Sequence, residues 1–333
     1  MKILLSGYHN PHFLTITEYI EEAVEELGHD LVCFDNRRYL IPGRLRDRVP
    51  ALERADLRRI NRDLLRVVHE SRPDVFVETG GHRILPSSVD RMRREGVTTV
   101  LWTIDAPTDF EPVVRAAPRY DAIVCGGTEA IELLDRSGIA GATWLPFACA
   151  PAHHHAPSLT DDDRERFGSD IAFVGSHYPN RAATLERLAD LDLAIWGPGW
   201  TRLPDSHPLR PRVRGDHVEP SDWAKIYAAS RAVVIIHYQD GGVPCYQASP
   251  KVYETLACGG LAVVDAQKDV FTLFEDGHHL LRFENPDDLA AKIEDCLTRP
   301  EQCDAIARNG REEVLAKHTY RHRVVSLLGR LPH

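Results

Sequence analysis

The stretch Val243-Pro244-Cys245-Tyr246-Gln247-Ala248-Ser249-Pro250-Lys251-Val252-Tyr253-Glu254-Thr255-Leu256-Ala257-Cys258-Gly259-Gly260-Leu261-Ala262-Val263-Val264 reads as a loop, a helix, a tight turn and a buried strand. Ser249 is a good N-cap, Pro250 suits the first helical position, and apolar residues recur at helical spacing from Lys251 to Cys258. Gly259 and Gly260 end the helix, and Val263-Val264 begins a strand. Lys251 and Glu254 stand three residues apart, so they share one face near the N-terminus. A helix N-terminus meets an anion with its free N–H groups, and a carboxylate beside it accepts hydrogen bonds from a sugar. A bound nucleotide sugar needs both.

Outward from this stretch, short apolar strands alternate with amphipathic helices, the signature of parallel sheets wrapped by helices, an α/β chain. In the first half the pattern predicts strands at Ile3 to Ser6, Leu31 to Phe34, Val75 to Glu78, Thr99 to Ile104, Ala122 to Cys125 and Ala142 to Leu145. In the second it predicts them at Ile171 to Val174, Leu193 to Trp196, near Val213, at Ala232 to His237, Leu261 to Val264 and Leu280 to Phe283. Between the halves, residues 151–169 lose periodicity in a run of Pro, small residues and charge, which predicts a linker. His153, His154 and His155 are read as part of it, because consecutive residues rarely converge on one metal ion.

A length of 333 residues suits two domains, and 43% hydrophobic with 27% charged residues suits a globular protein. The net charge of -10 argues against nucleic-acid binding, which calls for a basic surface. No apolar run is long enough for a membrane span, and the run after Met1 is too short for a signal peptide, so a cytoplasmic protein without integral membrane association is expected. Seven cysteines with no Cys-x-x-Cys fit reduced thiols. Arginines are dense from Arg37 to Arg72, as solvated helix faces or as a surface for an anionic or polar acceptor.

Pro250-Lys251-Val252-Tyr253-Glu254-Thr255-Leu256-Ala257-Cys258-Gly259-Gly260 resembles the donor-site helix of GT-B glycosyltransferases, in particular the CgeB-like (spore maturation protein) group related to family 4. Asp170-Ile171-Ala172-Phe173-Val174-Gly175-Ser176, Trp196-Gly197-Pro198-Gly199-Trp200, Leu273-Phe274-Glu275-Asp276-Gly277 and His318-Thr319-Tyr320 extend the similarity through the second half. The resemblance implies two facing Rossmann-like domains with a cleft between them: an acceptor-side domain at 1–150 and a donor-binding domain at 170–318. A C-terminal helix within 319–333 would cross back to the first domain. It implies transfer of a hexose from a nucleoside-diphosphate sugar, UDP-sugar favoured, to an acceptor the sequence does not specify. The nucleotide sugar is a co-substrate; no cofactor and no metal are expected.

On that resemblance Glu254 holds the ribose, Lys251, Val252 and Tyr253 line the nucleotide, and His217 lies where the base is placed. Family 4 enzymes often carry a second glutamate seven residues before the first; Tyr246 stands there, and Asp240 is the candidate replacement. Ligands of open parallel sheets bind beyond the carboxyl ends of strands. There Gly175, Ser176 and Arg181 are candidates for the diphosphate, with Gly197 in the next turn, and Gly7 would let backbone approach a ligand. His82 and Asp105, each after a first-domain strand, are candidate acid–base groups, and Arg181 and Lys251 would stabilise the leaving diphosphate. A nucleotide-sugar 2-epimerase and a non-catalytic nucleotide-sugar-binding subunit are the alternatives.

Overall fold

The computed structural model describes residues 1–104, 107–239 and 243–331. The chain forms two compact units: Met1–Pro146 with Tyr320–His333, and Phe147–Thr319. No helix among the described residues is long and apolar enough to cross a membrane.

The first unit runs β1 (Lys2–Gly7), α1 (Ile16–Glu26), β2 (Asp30–Asp35), α2 (Gly43–Arg46), α3 (Pro50–Ser71), β3 (Val75–Thr79), α4 (Pro86–Arg94), β4 (Thr98–Thr103), α5 (Glu111–Ala116), β5 (Ala122–Cys125), α6 (Thr128–Arg136) and β6 (Thr143–Trp144). Its strands make one parallel sheet in the order β2-β1-β3-β4-β5-β6. Ile3, Leu4, Leu5, Val75, Phe76 and Val77 are buried, because helices cover both faces of such a sheet. α1 starts at a capping box: the Thr15 backbone N–H donates to Glu18 Oε2 at 2.6 Å, and the Thr15 hydroxyl accepts from Thr17 N–H at 3.2 Å.

The second unit runs α7 (Asp161–Phe167), β7 (Ser169–Val174), α8 (Pro179–Leu185), β8 (Leu193–Trp196), β9 (Val213–Gly215), α9 (Pro220–Ala229), β10 (Ser230–Ile235), α10 (Pro250–Ala257), β11 (Ala262–Asp265), α11 (Val270–Leu273), β12 (Leu281–Phe283), α12 (Pro286–Thr298) and α13 (Pro300–Lys317). Its sheet is parallel in the order β12-β11-β10-β7-β8-β9. α14 (Tyr320–Leu328) then belongs to the first unit. There Tyr320 packs on Tyr19 of α1 at 5.8 Å between ring centroids, and Arg323 Nε donates to the Pro146 carbonyl at 2.9 Å.

Two sequence expectations change. Residues 151–169 are not a plain linker, since they lie inside the second unit and contain α7. Thr160 and Asp163 cap α7 reciprocally, Phe167 is buried, and Asp163 accepts from Lys225 Nζ of α9 at 2.8 Å, so the segment packs on α9. The strand predicted at Ala232 to His237 ends at Ile235, which frees His237 for another role.

Candidate functional site

α10 begins where the sequence places it. Ser249 is its N-cap, with Oγ accepting from Lys251 N–H at 3.4 Å, and Pro250 holds the first position. Gly260 is packed too tightly for any side chain: a Cβ there would lie 2.8 Å from the Tyr227 carbonyl. Val252, Tyr253, Thr255, Leu256 and Ala257 are buried, leaving Lys251 and Glu254 half-buried on the remaining face. The side chains of Val252 and Tyr253 therefore face the core, and only their backbone is left for the nucleotide-lining role expected of them.

A buried histidine, which sequence reasoning passed over, fixes where α10 starts. The Ser249 N–H donates to His237 Nε2 at 2.9 Å. A backbone N–H can only donate, so Nε2 is bare and the ring proton sits on Nδ1, 2.5 Å from Asp265 Oδ1 at the end of β11. Asp265 Oδ2 also accepts the His237 backbone N–H at 3.0 Å. The neighbouring carbonyls hold the other side of the site: Arg181 Nε donates to Ile236 O at 3.0 Å, and Asn180 Nδ2 to His237 O at 3.1 Å. One dipeptide, Ile236-His237, thus ties the first turn of α8 to the start of α10.

Lys251 feels the charge of Arg181. Burial holds the Lys251 ammonium below its usual pKa, Glu254 pulls it up, and Arg181 pushes it further down. Arg181 is lowered by burial too, while Tyr178 and Asp265 favour its charge. Its Nη1 donates to the Ser176 carbonyl at 3.0 Å, and Nη2 has no hydrogen-bond partner among the described residues. Lys251 Nζ lies 6.0 Å from the centre of the Trp223 ring. Lys251 is half-buried, where a charge is screened less by water.

Glu254 has a neighbour that the linker reading missed. His154 is buried, and its Nδ1 accepts from the Ala150 N–H at 3.0 Å. Burial lowers its pKa against the opposing pull of the Glu254 carboxylate. The neutral ring therefore carries its proton on Nε2. The buried Tyr227 hydroxyl of α9 feels the same carboxylate, with burial the larger cause of its raised pKa.

The glycine loops contribute less than expected. Gly175 N–H donates to Trp196 O at 2.8 Å and His177 N–H to Pro198 O at 2.9 Å, so two of that turn's N–H groups are already used and the Ser176 N–H is left for a ligand. Gly197, at φ 126°, lies against the Gly175 backbone, and its N–H donates to Gly215 O at 2.8 Å. The space beside Gly7 is filled by Thr17 and Thr79, so its lack of a side chain serves packing within the unit. His217 is exposed and 3.0 Å from Glu219 Oε1. In the first unit, His82 Nε2 lies 3.0 Å from the Asp109 carbonyl. Asp105 and Asp240 lie outside the described residues.

A family model described as Glycosyl transferase-like matches residues 181–329, from Arg181 through Lys251 and Glu254. No curated protein matches the chain. Among solved structures, sucrose-phosphate synthase from Thermosynechococcus elongatus is similar at TM-score 0.72 and 14% identity, over 98% of this chain and 97% of that one. Anabaena HepE in complex with UDP and glucose is similar at TM-score 0.65 and 13% identity, over 99% and 100%. A glycosyltransferase from Rickettsia africae is similar at TM-score 0.68 and 12% identity, over 98% and 97%. The fold is GT-B. In this GT-B chain Arg181, Lys251, Glu254, His154 and His237 all belong to the second unit, and His82 to the first.

Proposed function

We propose that the chain is a glycosyltransferase that moves a sugar, a hexose by preference, from a UDP-sugar to a small-molecule, peptide or glycan acceptor. The observation that carries this reading is the tie from Ile236-His237 to both Arg181 and the α10 N-terminus, which sets two cations and Glu254 beside the ends of β7 and β10. The Glycosyl transferase-like match over the same residues and the UDP seen in HepE support it. The narrower likeness to the CgeB-like group rests on the α10 residues and the turns around it.

In this mechanism Glu254 accepts hydrogen bonds from the ribose hydroxyls. Lys251, Arg181 Nη2 and the Ser176 N–H meet the diphosphate. The acceptor oxygen forms a bond to the anomeric carbon as the bond from that carbon to the diphosphate breaks. The electron pair leaves with the diphosphate, and the acceptor's proton passes to a base, for which His82 and Asp105 are the candidates. Cations held in a partly desolvated site oppose the charge growing on the leaving group, a role that needs no metal. Transfer and donor hydrolysis should therefore persist in excess chelator.

The test is calorimetric titration of UDP. Glu254→Ala should weaken UDP binding about ten- to a hundredfold, the effect of losing a hydrogen bond to a charged group. Wild-type affinity in a folded Glu254→Ala protein would remove the donor-site role of α10.

A further inference from the structure

The first unit has a pocket of its own at the carboxyl edge of its sheet, beyond β1, β2 and β3, the place where open parallel sheets take ligands. Its volume is about 150 Å³, and its polar lining comes chiefly from Tyr8, Thr17, Asn36, Arg37, Thr79 and Arg83. A cavity of this size holds one six-membered ring, as an engineered core cavity of about 150 Å³ holds benzene. This lining, unlike an apolar core, offers hydroxyls, an amide and two guanidinium groups.

Asn36 is the most informative of these. It is 2% exposed, its Nδ2 reaches Ser6 Oγ only at 3.4 Å, and its Oδ1 has no partner among the described residues. A buried amide oxygen left bare is costly, and a ligand hydroxyl would satisfy it. Thr79 Oγ1 donates to the Ser6 carbonyl at 3.2 Å, which leaves its lone pairs for a second hydroxyl. The N-terminus of α1 is closed by the Thr15–Glu18 capping box, so α1 contributes the Thr17 side chain.

Two guanidinium groups stand at the rim. Arg83 is held by its Nε on Tyr39 Oη at 2.9 Å, and the Arg37 guanidinium lies 4.2 Å from the centre of the Tyr8 ring. No Asp or Glu is among the described lining residues. Glu78, whose carboxyl feels Arg83, is buried and bonded to the Tyr120 hydroxyl.

We infer that this pocket binds a monosaccharide-sized, hydroxyl-rich acceptor bearing an anionic substituent, with the ring against Asn36 and the threonine hydroxyls and the anion against Arg83. The inference rests on the transferase reading of the second unit and names the class of its acceptor. Phosphate and carboxylate share this chemistry.

The test is titration of the full chain, saturated with UDP, with a hexose 6-phosphate, a hexuronate, the neutral hexose and inorganic phosphate. One of the two anionic sugars should bind about ten- to a hundredfold more tightly than the neutral hexose, and which one does so identifies the anion. Arg83→Gln should erase that preference while the neutral hexose binds as before. Asn36→Leu should weaken every sugar, with thermal melting confirming that it folds. Equal binding of neutral and charged hexose, inorganic phosphate binding as tightly as the sugar phosphate, or no sugar binding at all to protein that binds UDP would each overturn the inference and leave the donor reading standing. Failure of UDP itself to bind would overturn both.

Discussion

A lysine stripped of part of its water holds its proton less firmly, and Lys251 is in that state because of its burial and the nearby Arg181. Only the charged form can oppose a departing diphosphate. UDP affinity should therefore fall as pH rises through the lowered pKa, beginning below 10.5, and Lys251→Ala should flatten that dependence. The same substitution should reduce turnover roughly ten- to a thousandfold, the range for one charge-stabilising group. Unchanged turnover would take Lys251 out of the mechanism. Burial shifts Glu78 of the first unit the other way. Burial pushes its carboxyl up to about 7 from 4.5, against hydrogen bonds from Tyr120 and from the Ile84 and Arg83 backbone. The folded state then keeps a proton that the unfolded chain releases above pH 4.5, so stability is highest at or below that pH and declines as pH rises to about 7. The decline should amount to about 3 kcal/mol, and urea midpoints of Glu78→Gln should not show it.

At the scale of elements, α10 was legible because every signal for it is local: N-cap, proline, spacing and terminating glycines lie within twelve consecutive residues. His237 was not, since its partner Asp265 is 28 positions away on the next strand and only the parallel register brings them together. His154 was hidden for a different reason. It stands between two identical residues, and only the turn back to Ala150 singles it out. His237→Leu leaves the Ser249 N–H and Asp265 Oδ1 without partners, while Oδ2 keeps the backbone N–H of residue 237; it should cost about 2–4 kcal/mol in unfolding experiments and weaken UDP binding together with it. α7 was readable and missed: Thr160 followed by Asp163 is a capping signal, masked by the proline and charge around it. Its Asp163 is held at about 2 by the Lys225 ammonium and the Thr160 groups, well below the ordinary 3.8. The stabilisation exists above the unfolded value and disappears as pH falls from about 3.8 to about 2. Asp163→Asn should thus lower the melting temperature at pH 7 and match wild type at the acid end of that window.

For the molecule as a whole, the two α/β units followed from strand runs apolar at successive positions, the pattern of parallel sheets covered on both faces. The unit boundary was less legible. Phe147, Ala148 and Cys149 are as apolar as the strand residues before them, and their place in the second unit depends on Cys149, whose N–H donates to His318 O at 2.9 Å. α14 completes the first unit through Tyr320 and Arg323. A chain stopped after Thr319 should therefore show faster amide exchange across α1 and β1, while residues 147–319 keep their protection and still bind UDP. Loss of protection throughout would mean that the units do not fold separately. Because α14 is made after the whole of the second unit, the ribosome delivers the first unit's last piece late. Residues 1–146 must wait for it on the order of ten to forty seconds at about 5–20 residues per second, with the face of α1 that receives Tyr320 uncovered. During that interval Tyr19 and its neighbours are a natural target for a chaperone that binds nascent chains, whereas the second unit emerges with all of its own parts.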